Sequence, residues 1–469
     1  MPRLLLSLLA AFLVIAAPSH AQDTASNHLL LSGNLVTPDG VITHGWLDIY
    51  NGRILHLERE KPDLPGSQIL ETTDLVFAGF IDLHNHPAFN IFPRWTPPHK
   101  FPNRYAWRDW HVYQQQLESK GYGLIGDPAN FCDIDEYAEV KALIGGTTSI
   151  IGLGSNHMPG EGTGSPECLR GLVRNLDHYT GFYGKELDHE RIANSIGILP
   201  RDMDAQTAAL RAQQIANGSI DLLAIHIAEG LPTDTESAQE LDLLEAKGLL
   251  GPHTALIHSV GLSPSQLARV RRAGASIVWS PRSNFELYGA TANVAAAFRE
   301  GVTISLAPDW SPSGSDNMFE EIQYAHDVSA HQLNGLFSSR QLVEMASSVP
   351  ARVARIDDKV GAIAKGMYAD FFLVKPPAGI ANPYDAILNG SIASSIDLVV
   401  INGIPVYGEP TMLKSLNIPS EPLHLCGTEK ALNSAALPNG PFSQVEARLK
   451  AKMKTIGAEL GPLDSCPKP

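Results

Sequence analysis

Five stretches of this chain place metal-binding or proton-moving side chains at the ends of apolar runs. The first is Asp82-Leu83-His84-Asn85-His86. Two imidazoles two residues apart share one face of an extended chain and can aim at one point. Imidazole is also the commonest protein ligand of zinc-like metals. In Ala224-Ile225-His226-Ile227-Ala228-Glu229, His226 closes an apolar run and Glu229 follows within reach as a proton carrier. His258 closes Leu256-Ile257 in the same way. Ser280-Pro281-Arg282-Ser283-Asn284 offers polar groups to a substrate, with Arg282 and Asn284 the candidate contacts. Last comes Leu306-Ala307-Pro308-Asp309, where a buried carboxylate is costly unless paired or held on a metal. A single strand-end His is ordinarily a structural residue with a satisfied ring. Four strand ends bearing His, His, His and Asp point instead to a shared metal.

The elements that must position these residues alternate. Apolar runs at 75–83, 147–153, 192–199, 222–227, 254–259, 276–280 and 303–308 read as strands, with a weaker one at 169–175. Helix-like stretches such as TESAQELDLLEAKGLL and SPSQLARVRRAG lie between several of them, with Ser and Thr placed to cap. Strand–helix alternation implies parallel βαβ units. Eight units over residues 76–356 fit an α/β fold of the (β/α)8 TIM-barrel type, whose sites lie at the C-terminal strand ends. An open doubly wound sheet is the alternative, but no G-x-G-x-x-G follows the first strand. Residues 22–75 and 357–410 are rich in short strands and turn signals such as Asn51-Gly52 and Asn402-Gly403, so both ends are expected to build one small β domain. Residues 411–469 read as a C-terminal extension.

With 44% hydrophobic and 18% charged residues the chain is globular. A formal charge of −15 argues against nucleic-acid binding, which needs clustered Lys and Arg. Residues 1–21 read as a signal peptide, with Arg3 before an apolar run too short to span a bilayer and Ser19-His20-Ala21 as the cleavage site. The expectation is therefore a periplasmic or secreted protein with no membrane partner after cleavage. Export permits disulfides, and proximity along the chain suggests Cys426–Cys466 and Cys132–Cys168.

FIDLHNH, IHIAEG, LIHSVGL, SPRSN and LAPDWSPSG, in that order, resemble the amidohydrolase superfamily of metal-dependent hydrolases. The likeness covers about residues 27–410 and is strongest to the aminohydrolase and chlorohydrolase branch. It implies that the terminal pieces form a β-sandwich. It also implies that His84, His86, His226 and Asp309 bind one divalent metal, zinc first and iron or manganese otherwise. Binuclear relatives bridge two metals with a strand lysine. Neither LRGLVRN nor IANSIGIL carries one, and Lys185 lies between them. His258 and Glu229 would act with Asp309 as the catalytic residues, hydrolysing a C–N bond of a cyclic amide or ring amine. A dipeptidase or lactam hydrolase is the nearer alternative, with Arg282 or Arg94 as carboxylate anchor. A non-catalytic exported metal-binding protein would need neither Glu229 nor a free His258. The expected partner is a small molecule, and homo-oligomerisation is left open.

His157 follows the second strand and is a candidate pocket residue, as is Trp95. Arg94, Trp95, Trp107 and Trp110 lie in the long insertion after the first strand, as a substrate lid or as that loop's own core. His326 and His331 fall in a helical stretch and read as structural.

Overall fold

Short runs that are apolar at every position suit strands covered on both faces. LLAIHI, apolar but for His226, forms such a strand, buried throughout at Leu222–Ile227. It belongs to a computed structural model that describes residues 28–152, 171–177, 191–195 and 199–466. Among the described residues, eight parallel strands follow in chain order. They are β1 (Phe80–Asp82), β2 (Thr147–Ile150), β3 (Arg174–Asn175), β4 (Ile192–Ser195), β5 (Leu222–Ile227), β6 (Thr254–His258), β7 (Ser276–Trp279) and β8 (Thr303–Leu306). They pair in sequential order as a three-stranded sheet, β1-β2-β3, and a five-stranded sheet, β4 to β8. Asn85 pairs with Asp309 in parallel where the two sheets meet past β1 and β8. On the other side the Leu176 carbonyl takes the amides of Arg191 and Ile192. Among the described residues the ladders stay as these two sheets, so one closed ladder is not what the strand pairing shows.

Alternation along each strand sorts side chains to two cores. Leu222 and Ala224 pack with Ala255, Ile257, Val278 and Ala307 in one cluster, while Leu223, Ile225 and Leu256 join a larger one under the helices. His226 shares the parity of Leu222 and Ala224, so it is carried to the end of that inner face. Helices between strands are capped as their sequences suggest. Pro264–Ala273 begins with a Ser263/Gln266 capping box and ends at Gly274 in the left-handed conformation.

The terminal pieces form one continuous nine-stranded sheet instead of the two sheets of a sandwich. His28–Thr37, Gly40–Tyr50, Arg53–Glu58 and Gln68–Ala78 come from one end, and Phe371–Val374, Ile396–Ile401 and Ile404–Gly408 from the other. The extension does not stand apart from it. Ser420–Leu425 and Thr428–Asn433 add two strands at one edge, because Tyr407 and Gly408 leave that edge open to Leu432 and Ala431. The helix Phe442–Thr455 then packs on Pro128–Leu143, where Phe442 stacks on Tyr137 and Arg448 forks onto Asp133. Cys426 and Cys466 are disulfide-bonded. Cys168, Lys185, His157 and the leader lie outside the described residues. No helix among those described is long and apolar enough to cross a membrane.

Candidate metal centre

Left-handed backbone marks the strand ends that carry chemistry. Ala228, His258, Ser259 and Asp309 have φ of 47°, 66°, 57° and 70°, which L-residues seldom adopt. Each ends its strand abruptly and redirects the side chain beside it toward the same spot.

His84, His86, His226 and Asp309 converge there. The Nε2 atoms of His84 and His226 are 3.1 Å apart, and Oδ1 of Asp309 lies 3.2 Å from Nε2 of His84 and 3.3 Å from that of His86. Ligand atoms about 2.0–2.1 Å from a tetrahedral zinc stand roughly 3.3 Å apart, so this donor set fits a divalent ion. The protonation states fit as well. Burial depresses His84 to about 4, and burial with the Arg104 charge holds His226 well below its ordinary value. For Asp309 burial works the other way, but His84 and His86 outweigh it and hold the carboxyl well below the usual range. Neutral imidazoles and an ionised carboxylate present the lone pairs a cation needs. His226 Nδ1 is buried and finds no partner among the described residues.

Further contacts fix the aim. Ser280 Oγ meets His84 Nδ1 at 3.0 Å, and Ser283 Oγ donates to Asp309 Oδ2 at 2.5 Å. Asn284 Oδ1 meets His258 Nδ1 at 2.8 Å, which turns Nε2 of that ring into the site. There it lies 3.6 Å from Glu229 Oε1 and 3.9 Å from Asp309 Oδ2. Under β1, Asp82 accepts from the His84 amide and from Asn85 Nδ2, and burial pushes its carboxyl up to about 8.

Above these groups opens a cavity of about 210 Å³. Phe89, Trp107, Tyr113, Tyr122, Leu287 and Trp310 wall it, with Arg104, Arg108 and Glu118 among its polar residues. The rings touch one another: Phe89 and Trp310 at 5.5 Å, Trp107 and Tyr113 at 4.8 Å, Trp107 and Trp310 at 6.1 Å.

The structure thus brings together His84, His86, His226, His258, Glu229 and Asp309. Three other sequence candidates sit elsewhere. Trp95 donates to Gln116, packs on Trp110 and Tyr113, and lines a separate cavity with Arg94, Lys450 and Lys454. It serves the insertion's own aromatic core. Arg282 lies over the Tyr324 ring at 4.9 Å and 4.0 Å from Glu320, so its guanidinium is drawn to the following helix. Asn284 is spent on His258 and Thr291. Sequence reasoning passed over Arg104, Tyr288, Phe89, Tyr113 and Trp310. Only Trp310 carried a usable signal, its place directly after Asp309.

Comparison with known proteins agrees with this fold. Residues 214–406 match the model of the amidohydrolase family. A 5-methylthioadenosine/S-adenosylhomocysteine deaminase of Acetivibrio thermocellus is 22% identical over 415 residues, covering 80% of this chain and 93% of its own. A zinc-bound adenosine deaminase from Xanthomonas campestris superposes with a TM-score of 0.66 at 15% identity, over 92% of this chain and 98% of that one. Atrazine chlorohydrolase TrzN from Arthrobacter aurescens, complexed with zinc, gives a TM-score of 0.67 at 15% identity, over 90% and 99%. Over residues 214–406 the chain resembles the amidohydrolase family, and its α/β fold is of the TIM-barrel type. His84, His86, His226, His258 and Asp309 form, on this fold, a cluster that could hold a divalent metal.

Proposed function

We propose that this protein is a zinc-dependent aminohydrolase that removes an amino group from a planar N-heteroaromatic ring and releases ammonia. One observation carries the reading: an aromatic-walled cavity stands directly over the convergent His84, His86, His226 and Asp309, with Glu229 and His258 at its floor. Aromatic walls at ring-to-ring distances of 4.8–6.1 Å favour a flat ring as occupant. The deaminases it resembles are named for adenosine derivatives and guanine, which supports a purine-type amine.

His84, His86, His226 and Asp309 would hold the metal, which when bound makes a water acidic enough to attack near neutral pH. The residues around it divide the proton work. Asp309 takes the water's proton at Oδ2, the oxygen that Ser283 orients. His258 directs Nε2 at the reacting carbon's oxygen, held by Asn284. Glu229 carries a proton at Oε1 to the ring or leaving nitrogen. The two carboxylates have separate duties because only one lies among the metal donors.

The anchors named for the peptidase or lactam alternative, Arg282 and Arg94, do not line the cavity, and of the arginines that do, Arg104 is held on Glu229 and Arg108 beside Asp109. Export remains part of the proposal. The leader-like residues 1–21 motivate it, and the Cys426–Cys466 disulfide suits an oxidising compartment.

The test is elemental analysis of the purified protein, then ammonia release from adenosine, 5-methylthioadenosine, guanine and a set of small cyclic amides. About one zinc per chain and ammonia from a ring amine are expected. Ring opening of a cyclic amide with no ammonia from any amine would overturn the substrate class, and two tightly held metals would overturn the single-ion site.

A further inference from the structure

The insertion between β1 and β2 reaches the segment that carries Glu229. Asn103 pairs antiparallel with Gly230, the Arg104 amide donates to the Glu229 carbonyl at 2.8 Å, and the Leu231 amide donates to Pro102 at 2.7 Å. Residues 102–104 therefore lie along 229–231 as an added strand. Tyr105, one residue on, donates its hydroxyl to Glu240, whose other oxygen accepts the Ala228 amide at 2.6 Å.

Side chains complete the hold on the carboxylate. Arg104 donates to Oε2 of Glu229 at 3.1 Å, and the Tyr288 hydroxyl donates to Oε1 at 2.7 Å. Trp107 Nε1 donates to the Tyr288 oxygen at 2.7 Å, which fixes the direction of that hydroxyl. Glu229 and Tyr288 are each 3% exposed. Each carboxylate oxygen thus has one anchored donor, and the free lone pair of Oε1 is left on the side of His258, 3.6 Å away. None of Arg104, Tyr288 and Trp107 is a metal donor.

A group that passes a proton between a water and a nitrogen works only within hydrogen-bond reach of both. Displacement by about 1 Å costs up to roughly 100-fold. We propose that Arg104 and Tyr288 are positioning residues for proton transfer by Glu229, with Trp107 locking Tyr288, so that the insertion after β1 completes the catalytic machinery. This rests on the reading of Glu229 as the proton carrier. Glu229 begins and ends the cycle ionised: of the attacking water's two protons, one passes by way of Asp309 to the leaving amine and the other by way of Glu229 to the ring nitrogen, so that ammonia leaves and the ring keeps a C=O and an N–H.

The variants are Arg104→Gln, Arg104→Ala and Tyr288→Phe, with Glu229→Gln as control, each loaded with zinc. On the fastest amine of the panel, kcat should fall roughly 10–100-fold in Arg104→Gln, the usual cost of losing an orienting partner. KM should stay within about threefold and zinc content should be unchanged. Guanidinium ion should restore part of kcat to Arg104→Ala and nothing to the wild type, which a brace of purely structural value would not show. Crystal structures of Arg104→Gln and Tyr288→Phe should show the Glu229 carboxylate turned away from His258. Tyr288→Phe keeps size and packing, so it serves even where the Arg104 variants do not fold. Wild-type kcat in these variants while Glu229→Gln is inactive sinks this proposal alone, as does a Glu229 carboxylate unmoved in both crystals. Full activity of Glu229→Gln sinks the proton-carrier reading and this proposal with it.

Discussion

Asp309 and Glu229 are both buried carboxylates in one cavity, and their partners separate them. Asp309 faces imidazoles, whereas Glu229 faces Arg104 and Tyr288. Substitutions should separate them in the same way. His226→Ala removes one of four donors and leaves the rest poorly satisfied, so zinc and activity should vanish together. Glu229→Gln keeps shape and polarity but cannot carry a proton; zinc should stay while the rate falls about 10²–10⁴-fold. His258→Asn should also retain zinc with impaired turnover. Zinc content beside initial rates checks all three, and loss of zinc from Glu229→Gln would place that residue among the ligands.

At the scale of elements, the helix Pro281–Tyr288 organises more of the site than any strand does. Ser280 at its N-cap meets His84, Ser283 meets Asp309, Asn284 meets His258 and Tyr288 meets Glu229. Positions three and four apart share a helix face, so one rigid body addresses four separate strand ends. SPRSN was legible as polar groups near a pocket. That they serve the protein's own side chains and not the substrate was not legible, because a helix face shows its neighbours only once packed. Ser280→Ala should weaken zinc binding roughly 10–100-fold, the usual cost of losing a ligand's hydrogen-bond partner, read by competition with a chelator. Unchanged affinity would mean that packing alone holds the His84 ring.

Across the whole molecule, the C-terminal tail is tied to the metal centre. Ser465 donates to Asp316, which pairs with the buried Lys141 at 2.9 Å; Lys141 also reaches Ser311 and Asn90, and Asn90 leads through Asn85 to Asp82 beneath His84. Two consequences are measurable. Burial, with Glu320 and Asp316 nearby, pushes the Asp464 carboxyl up to about 7. In the unfolded chain it ionises at about 4, so between those values the folded state binds more protons and stability falls as pH rises. The melting temperature should therefore drop less from pH 5 to 7.5 in Asp464→Asn than in the wild type. Removing the 40-residue Cys426–Cys466 link by a double Cys→Ser change should cost about 2–4 kcal/mol, read by denaturant unfolding. The export proposal is checked by N-terminal sequencing of protein recovered outside the cytoplasm, which should begin near Gln22.

The sequence by itself determined the order of strands and the residue types at their ends. Period and burial cost are local properties: an all-apolar run is a covered strand, and a His or Asp closing it needs a reason. His84, His86, His226, His258 and Asp309 were readable on that ground, and Glu229 by its place in the loop three residues past His226. The tertiary structure decided everything that depends on distance across the fold. It joined the terminal strands and the extension into one nine-stranded sheet, a matter of which edges remain open once the chain is packed. It withdrew Trp95 and Arg282 from the cavity because nearer rings and carboxylates satisfied them first. It brought Arg104, 125 positions from Glu229, onto that carboxylate. No periodicity records such a contact, since its energy arises only where two distant segments share a buried space.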